Sequence, residues 1–214
     1  KTLLNIRGGD PQITLNAPDG LALKGNIIYV TDIDSLRWFD KNNGKPLGHI
    51  DLTGIGAKRL RGLAFDAEDN LYISDLLANT IYKVETSNSH KISIFIKSNR
   101  LGNPSGMVYD SVRNRLIVVT RATGRIFGIG PDKKITTVIH TKTAFKSLNG
   151  IAWGRDSNLL VSDKTAGKIY RIRNFSRTEI VRENILTPAG ISFDYSRNLI
   201  LVPSSKGNLA FTIP

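Results

Sequence analysis

The chain has 214 residues, no cysteine, and 30 basic against 18 acidic residues, a formal charge of +12. Without thiols there is neither a disulfide framework nor a thiolate metal site, and no apolar run reaches the length a membrane-spanning helix needs. Frequent glycine and β-branched residues, with no long Ala/Leu/Glu/Lys stretch, point to an all-β fold and a single domain over residues 1–214.

One pattern recurs five times along the chain. A glycine opens an apolar run, a polar turn follows, an asparagine precedes a second run, and a polar loop leads to a third. In the first repeat these are Gly20-Leu21-Ala22, Asn26 to Asp32, and Leu36-Arg37-Trp38-Phe39. The second repeat has Gly62 to Asp66, Asn70 to Asp75, and Thr80 to Val84. The third has Gly106 to Asp110, Asn114 to Thr120, and Gly124 to Phe127. The fourth has Gly150 to Trp153, Asn158 to Asp163, and Gly167 to Ile172. The fifth has Gly190 to Asp194, Asn198 to Val202, and Gly207 to Phe211. The glycine spacings are 42, 44, 44 and 40 residues. A more variable fourth run follows each of the first four: Leu47 to Leu52, Ile92 to Ile96, Ile135 to Ile139, and a stretch near Ile180. Four short strands per unit at this period are the signature of a propeller blade.

The predicted fold is therefore a five-bladed β-propeller of four-stranded antiparallel blades, spanning 17–53, 60–97, 104–140, 148–184 and 188–214. The last unit has only three runs. Gln12-Ile13-Thr14-Leu15, within residues 12–16, is expected to supply its fourth strand and close the ring. The segment from Gly190 to the C-terminus and residues 1–19 together make 44 residues, one repeat. Closure would also remove two exposed strand edges. The alternative is a six-bladed ring that lacks one blade. Apolar residues of modest size after each glycine suit the crowded centre, and Trp38, Tyr82, Phe127, Tyr170 and Phe211 of the third strands are expected to pack between blades.

These units resemble NHL repeats and the related repeats of the regucalcin–gluconolactonase superfamily, with a WD40-like plan of four strands per blade. Residues 60–84 and 148–172 match the pattern best: a Gly-Leu/Ile-Ala opening, then Asn-Leu-x-x-Ser-Asp, then a basic residue with Ile-x-x-Ile or its equivalent. The resemblance covers nearly the whole chain. It implies the propeller fold, and it implies a range of activities, since such propellers include lactonases, lyases and binding modules. The metal-dependent lactonases hold a divalent cation with Glu, Asn and Asp at channel positions. Asn149 in Leu-Asn-Gly-Ile-Ala-Trp matches the Asn, Asp19 stands where Glu is expected, and Ala189 stands where Asp is expected. The resemblance thus implies at most a Ca²⁺ or other divalent cation shared by Asp19 and Asn149.

In a propeller the residue before each inner strand lines one end of the channel. Here that ring is Asp19, Arg61, Ser105, Asn149 and Ala189. Loops between second and third strands open on the same face and add Asp34, Arg121, Arg125, Lys164 and Lys206. This is the expected ligand site. Asp32, Asp75 and Asp163 end second strands and are expected to accept backbone N–H bonds in turns, as are Asp66, Asp110 and Asp194. Thr120 and Pro203 are read as replacing that aspartate in the third and fifth repeats. His49, His90 and His140 fall beside fourth strands, too scattered to share one metal or one active site, and are expected at the surface.

There is no Gly-x-Ser-x-Gly, no phosphate-binding glycine loop and no His-Glu-x-x-His. Residues 101–214 hold 17 basic and 7 acidic residues, whereas residues 1–100 hold 13 and 11. A positive field of this kind draws anionic partners. The expected function is therefore binding of an anionic small molecule or polymer on the channel face, with a protein partner as a further possibility and no catalytic residues. The competing readings are a metal-dependent lactonase or esterase using Asp19 and Asn149, and single-stranded nucleic-acid binding. The last ranks lowest because the aromatics map to core positions and stacking needs exposed rings. Lys1 opens the sequence and Met107 is its one methionine, so an exported mature protein, periplasmic or extracellular, is expected. Asn174-Phe175-Ser176 forms a glycosylation sequon.

Overall fold

The computed structural model describes residues 14–139 and 143–214. Nineteen strands among them form five antiparallel meanders. Blade one is β1 (Pro18–Lys24), β2 (Ile27–Asp32), β3 (Ser35–Asp40) and β4 (Pro46–Asp51). Blade two is β5 (Leu60–Phe65), β6 (Asn70–Asp75), β7 (Thr80–Glu85) and β8 (Lys91–Lys97). Blade three is β9 (Pro104–Asp110), β10 (Arg115–Thr120), β11 (Ile126–Ile129) and β12 (Ile135–Thr137). Blade four is β13 (Leu148–Trp153), β14 (Leu159–Asp163), β15 (Lys168–Arg173) and β16 (Arg177–Arg182). Blade five has three strands, β17 (Ser192–Asp194), β18 (Leu199–Ser204) and β19 (Leu209–Ile213).

A second strand flanked by blades on both faces is buried throughout, as β6 and β14 are, whereas outer strands such as β4 and β8 are largely open to solvent. Each turn from first to second strand carries a left-handed residue: Gly25, Asp69, Asn114, Ser157 or Asn198. Short polar side chains or none tolerate that backbone best. The turn aspartates behave as expected. Asp75 accepts from the backbone N–H of Lys58, Arg59, Leu77 and Ala78, and Asp163 from Lys146, Ser147, Thr165 and Ala166. Each thereby ties its own loop to the segment entering the inner strand.

Buried apolar residues fall into four clusters, one between each pair of consecutive blades. At the axis the inner strands come into backbone contact. A Cβ on Gly62 would run into the Ser105 carbonyl, and one on Gly150 would lie 2.6 Å from the Ile191 nitrogen. A buried hydroxyl clasps three of these interfaces. Ser74 Oγ accepts from Gly62 N–H at 2.9 Å and donates to the Ser105 carbonyl at 2.5 Å. Ser162 does the same between Gly150 and Ala189, and Thr31 between Gly20 and Arg61. Val119 and Pro203 take this position in blades three and five. The register therefore puts Ser204, bridged to Pro188, at the turn-aspartate position of blade five, one residue beyond the expected Pro203.

The expected closure is not formed. The fifth sheet is β17-β18-β19 with no fourth strand, and no sheet is closed. Residues 12 and 13 of the expected strand lie outside the described residues. Beyond them the chain turns to blade one, where Asn16 and Ala17 N–H groups donate to Asp32. Inner strands pack in the order β1, β5, β9, β13, β17, and a Cβ on Gly190 would meet nothing within 4 Å. Leu21 is 66% exposed, while its equivalents Leu63, Met107, Ile151 and Ile191 are 9% or less. Leu201 is 38% exposed, while Tyr29, Tyr72, Ile117 and Leu160 are 8% or less. Blade one and blade five thus each present one inner face that no blade covers among the described residues. The physical reason is that sheet edges carry no address. A residue count equal to one repeat does not oblige a terminal segment to pair across the ring.

Candidate functional site

The inner strands of the first four blades are each bulged at their start, between Pro18 and Leu21, Leu60 and Leu63, and Leu148 and Ile151, and opposite Val118–Thr120 in blade three. A bulge re-aims the residue it contains. Here it turns Asp19, Arg61, Ser105 and Asn149 toward the axis, where they line a cavity of about 310 Å³ with the inner glycines. Four of the five expected ring residues therefore meet. Ala189 lies in the segment before β17 and adds its carbonyl to Ser162 instead.

Arg61 organises the site. Its side chain, 11% exposed, crosses the channel. One guanidinium nitrogen donates to Asp19 Oδ2, and the other donates to Asn149 Oδ1 at 2.8 Å. Ser105 Oγ donates to the same Asn149 oxygen at 3.1 Å. Blades one to four are joined by this network. Arg61 Nε is buried with no acceptor. A buried donor without a partner is costly, so this nitrogen leaves unused binding capacity at the channel wall.

The electrostatics are lopsided. Burial pushes the Asp19 carboxyl above its ordinary range, against the lowering effect of Arg61, Arg59 and Arg121. Burial lowers Arg61, which Asp19 opposes and Arg121 and Arg59 reinforce. Lys164 is lowered by burial, then by Arg121 and Arg61. Lys206 adds to the same field at Lys164. Four cations, Arg61, Arg59, Arg121 and Lys164, thus bear on one carboxylate, and a site of that balance favours an anion.

Of the residues expected around the mouth, Arg121, Lys164 and Lys206 join this field. Asp34 does not line the cavity; its carboxylate accepts from Ser35 Oγ and its carbonyl from Leu52 N–H. Arg125 is exposed and ties its backbone, not its side chain, to Thr120. Arg59 was not anticipated. It stands two residues before Arg61, in Lys58-Arg59-Leu60-Arg61, and this basic run entering an inner strand was its available signal. Asp19 and Asn149 were expected to share a divalent cation, but each gives an oxygen to the Arg61 guanidinium. As placed, these donors do not fit a metal ion, because the positive charge between them is already supplied. Among the described residues no cluster of three His, Cys, Asp or Glu is suited to a metal, and no helix is long and apolar enough to cross a membrane.

His90, expected at the surface, is packed instead. Its ring stacks on Trp38 at 4.2 Å and 11°, and Nε2 is 3.2 Å from the Tyr29 hydroxyl. His49 is exposed, and His140 lies outside the described residues.

Fold and site together define a β-propeller with a cationic, water-accessible channel mouth. Solved structures with this fold include a streptogramin B lyase, at TM-score 0.70 and 18% identity over 92% of this chain and 65% of that one. A virginiamycin B lyase from Staphylococcus aureus in complex with quinupristin matches at TM-score 0.67, 18% identity, over 92% of this chain and 70% of that one. A chain of a nidogen/laminin complex matches at TM-score 0.73, 17% identity, over 98% and 88%. The curated protein cueball of Aedes aegypti is 23% identical over 90% of this chain, which spans only 31% of that protein's length. No family model matches the chain.

Proposed function

We propose that this propeller is a binding module that takes an anionic small molecule or polymer at its channel mouth, with Arg61 as the central contact. The observation that carries the reading is the Arg61 network: a buried guanidinium, fixed by Asp19 and Asn149, with one unpaired N–H and three further cations, Arg59, Arg121 and Lys164, around it. Pre-fixed donors lose little freedom on binding. The same reading places the chain among NHL-like and regucalcin–gluconolactonase-like propellers and in an exported location. One feature of the structures with this fold supports binding: a nidogen/laminin structure shows it within a protein–protein complex.

The test is titration with inorganic phosphate, a tricarboxylate and a sulfated polysaccharide across salt concentrations. Binding should weaken as salt rises from about 50 to about 200 mM, and Arg61→Ala should cost at least about tenfold in affinity. Binding that ignores both salt and Arg61→Ala would refute the reading.

A further inference from the structure

The opposite end of the propeller carries a second concave surface. Turns between first and second strands of blades three, four and five converge there with the β15–β16 turn of blade four, around an open cavity of about 820 Å³. That volume is within the range of small-molecule sites. Four aromatic rings stand among its otherwise largely polar walls: Tyr109 and Trp153 lie at the ends of the inner strands of blades three and four, Phe175 sits in the β15–β16 turn, and Tyr195 follows the inner strand of blade five.

These rings are locked together. Trp153 Nε1 donates to the Tyr109 carbonyl at 2.8 Å, and the Tyr195 hydroxyl donates to the Trp153 carbonyl at 3.2 Å. Trp153 and Phe175 meet edge to face. Tyr195 is 56% exposed although its hydroxyl is held, so the ring is presented to solvent in a fixed pose. Two arginines border the rings. The Arg113 guanidinium, ion-paired with Asp110 at 3.3 Å, lies 4.8 Å from the Phe175 centroid while its side chain stays half exposed. Arg155 is held by Asn198 Oδ1 at 2.6 Å and the Tyr195 carbonyl at 3.0 Å, both neutral acceptors. No carboxylate among the described residues forms an ion pair with it. A guanidinium that is oriented and makes no ion pair, beside an exposed, oriented ring, is a two-part receptor, with Asp110 and Asp156 the two carboxylates elsewhere in the lining. The ring offers a stacking face and the cation offers charge-assisted hydrogen bonds.

We propose that this groove is a second ligand site, independent of the channel mouth, for a flat aromatic molecule that bears an anionic group. The ring of the ligand stacks on Tyr195 and its carboxylate or phosphate is held by Arg155, with Arg113 as the outer guard.

Calorimetric titration of the intact protein tests this with adenosine 5′-monophosphate and 2-naphthoate, which separate a phosphate ester from a ring-borne carboxylate. Adenosine and inorganic phosphate supply the ring and the charge singly. At least one ring-bearing anion should bind with a Kd below about 1 mM, and in the Arg61→Gln protein, whose channel contact is removed, adenosine and phosphate should each bind about tenfold more weakly than that anion. Tyr195→Ala and Arg155→Ala should each weaken binding at least about fivefold, and Tyr195→Phe should retain it. Arg61→Gln separates the two sites, because a change there reports the channel alone. The proposal is overturned if neither ring-bearing anion binds, if both groove variants bind as wild type does, or if Arg61→Gln abolishes the binding.

Discussion

Gly62 and Gly190 occupy the same place in their repeats and live in different worlds. The first is pressed against the Ser105 carbonyl of the next blade; the second faces nothing. The same contrast separates Leu160 from Leu201 and Ile151 from Leu21. Sequence-equivalent residues are core at four interfaces and surface at the two uncovered faces. What makes a residue of this chain core is therefore the neighbouring blade, more than the residue itself. Even the hydroxyl clasp follows the contrast in part, since blade five carries Pro203 where Thr31, Ser74 and Ser162 bond forward to the next blade. Blade three also lacks the clasp at Val119 while having a neighbour, so the clasp is an addition to the apolar interface and not its foundation.

The largest effect should come from core truncation. Leu160→Ala should cost about 2–5 kcal/mol, because it empties a site between blades four and five, whereas Leu201→Ala should cost about 1 kcal/mol or less. Urea midpoints of the two variants measure this directly, and equal losses would mean that the blade-five face is covered in solution. Next in size, Gly62→Ala should destabilise by about 1–3 kcal/mol, since the backbone it meets cannot rotate away. Gly190→Ala should be neutral within about 0.5 kcal/mol. Equivalent behaviour of the two would erase the comparison.

The smallest effect concerns pH and sharpens the covered interface between blades one and two alone. Burial lowers the His90 imidazole from its ordinary value, so the folded protein favours the neutral ring between Tyr29 and Trp38. The unfolded chain takes up that proton at higher pH than the folded chain does. The stacking contribution is thus complete above the ordinary histidine range and declines as pH falls through it and then through the folded value. Melting temperatures from pH 7.5 to pH 5 should fall further for wild type than for His90→Phe, which keeps a stacked ring without a proton site. An identical pH slope in both proteins would place the titration elsewhere.

Much of this was readable before any coordinates. Regular glycine spacing implied five equivalent units, and equivalence alone brings Asp19, Arg61, Ser105 and Asn149 to one end of one axis. The turn role of Asp75 and Asp163 followed from their place after a second strand. Arg59 went unnoticed because it stands outside the strand register, and Arg125 was included because loop position does not say which way a side chain points. The rings of Tyr109, Trp153 and Tyr195 at the opposite end drew no separate reading, since an aromatic at the end of a strand reads the same whether its last atoms are packed or wet. His90 was misjudged for the converse reason: its partners Tyr29 and Trp38 are more than 50 residues away.

By itself the sequence determined the periodic elements: strand lengths, turn residues, glycine positions and the direction of each blade's meander. These depend on interactions a few residues long, and they repeat. Only the tertiary structure decided which faces stay uncovered, that Arg61 reaches across the channel to Asn149, and that two separate concave surfaces form at opposite ends. Each of those depends on how blades stack at long range, where the free energy lies in contacts between units and not within them.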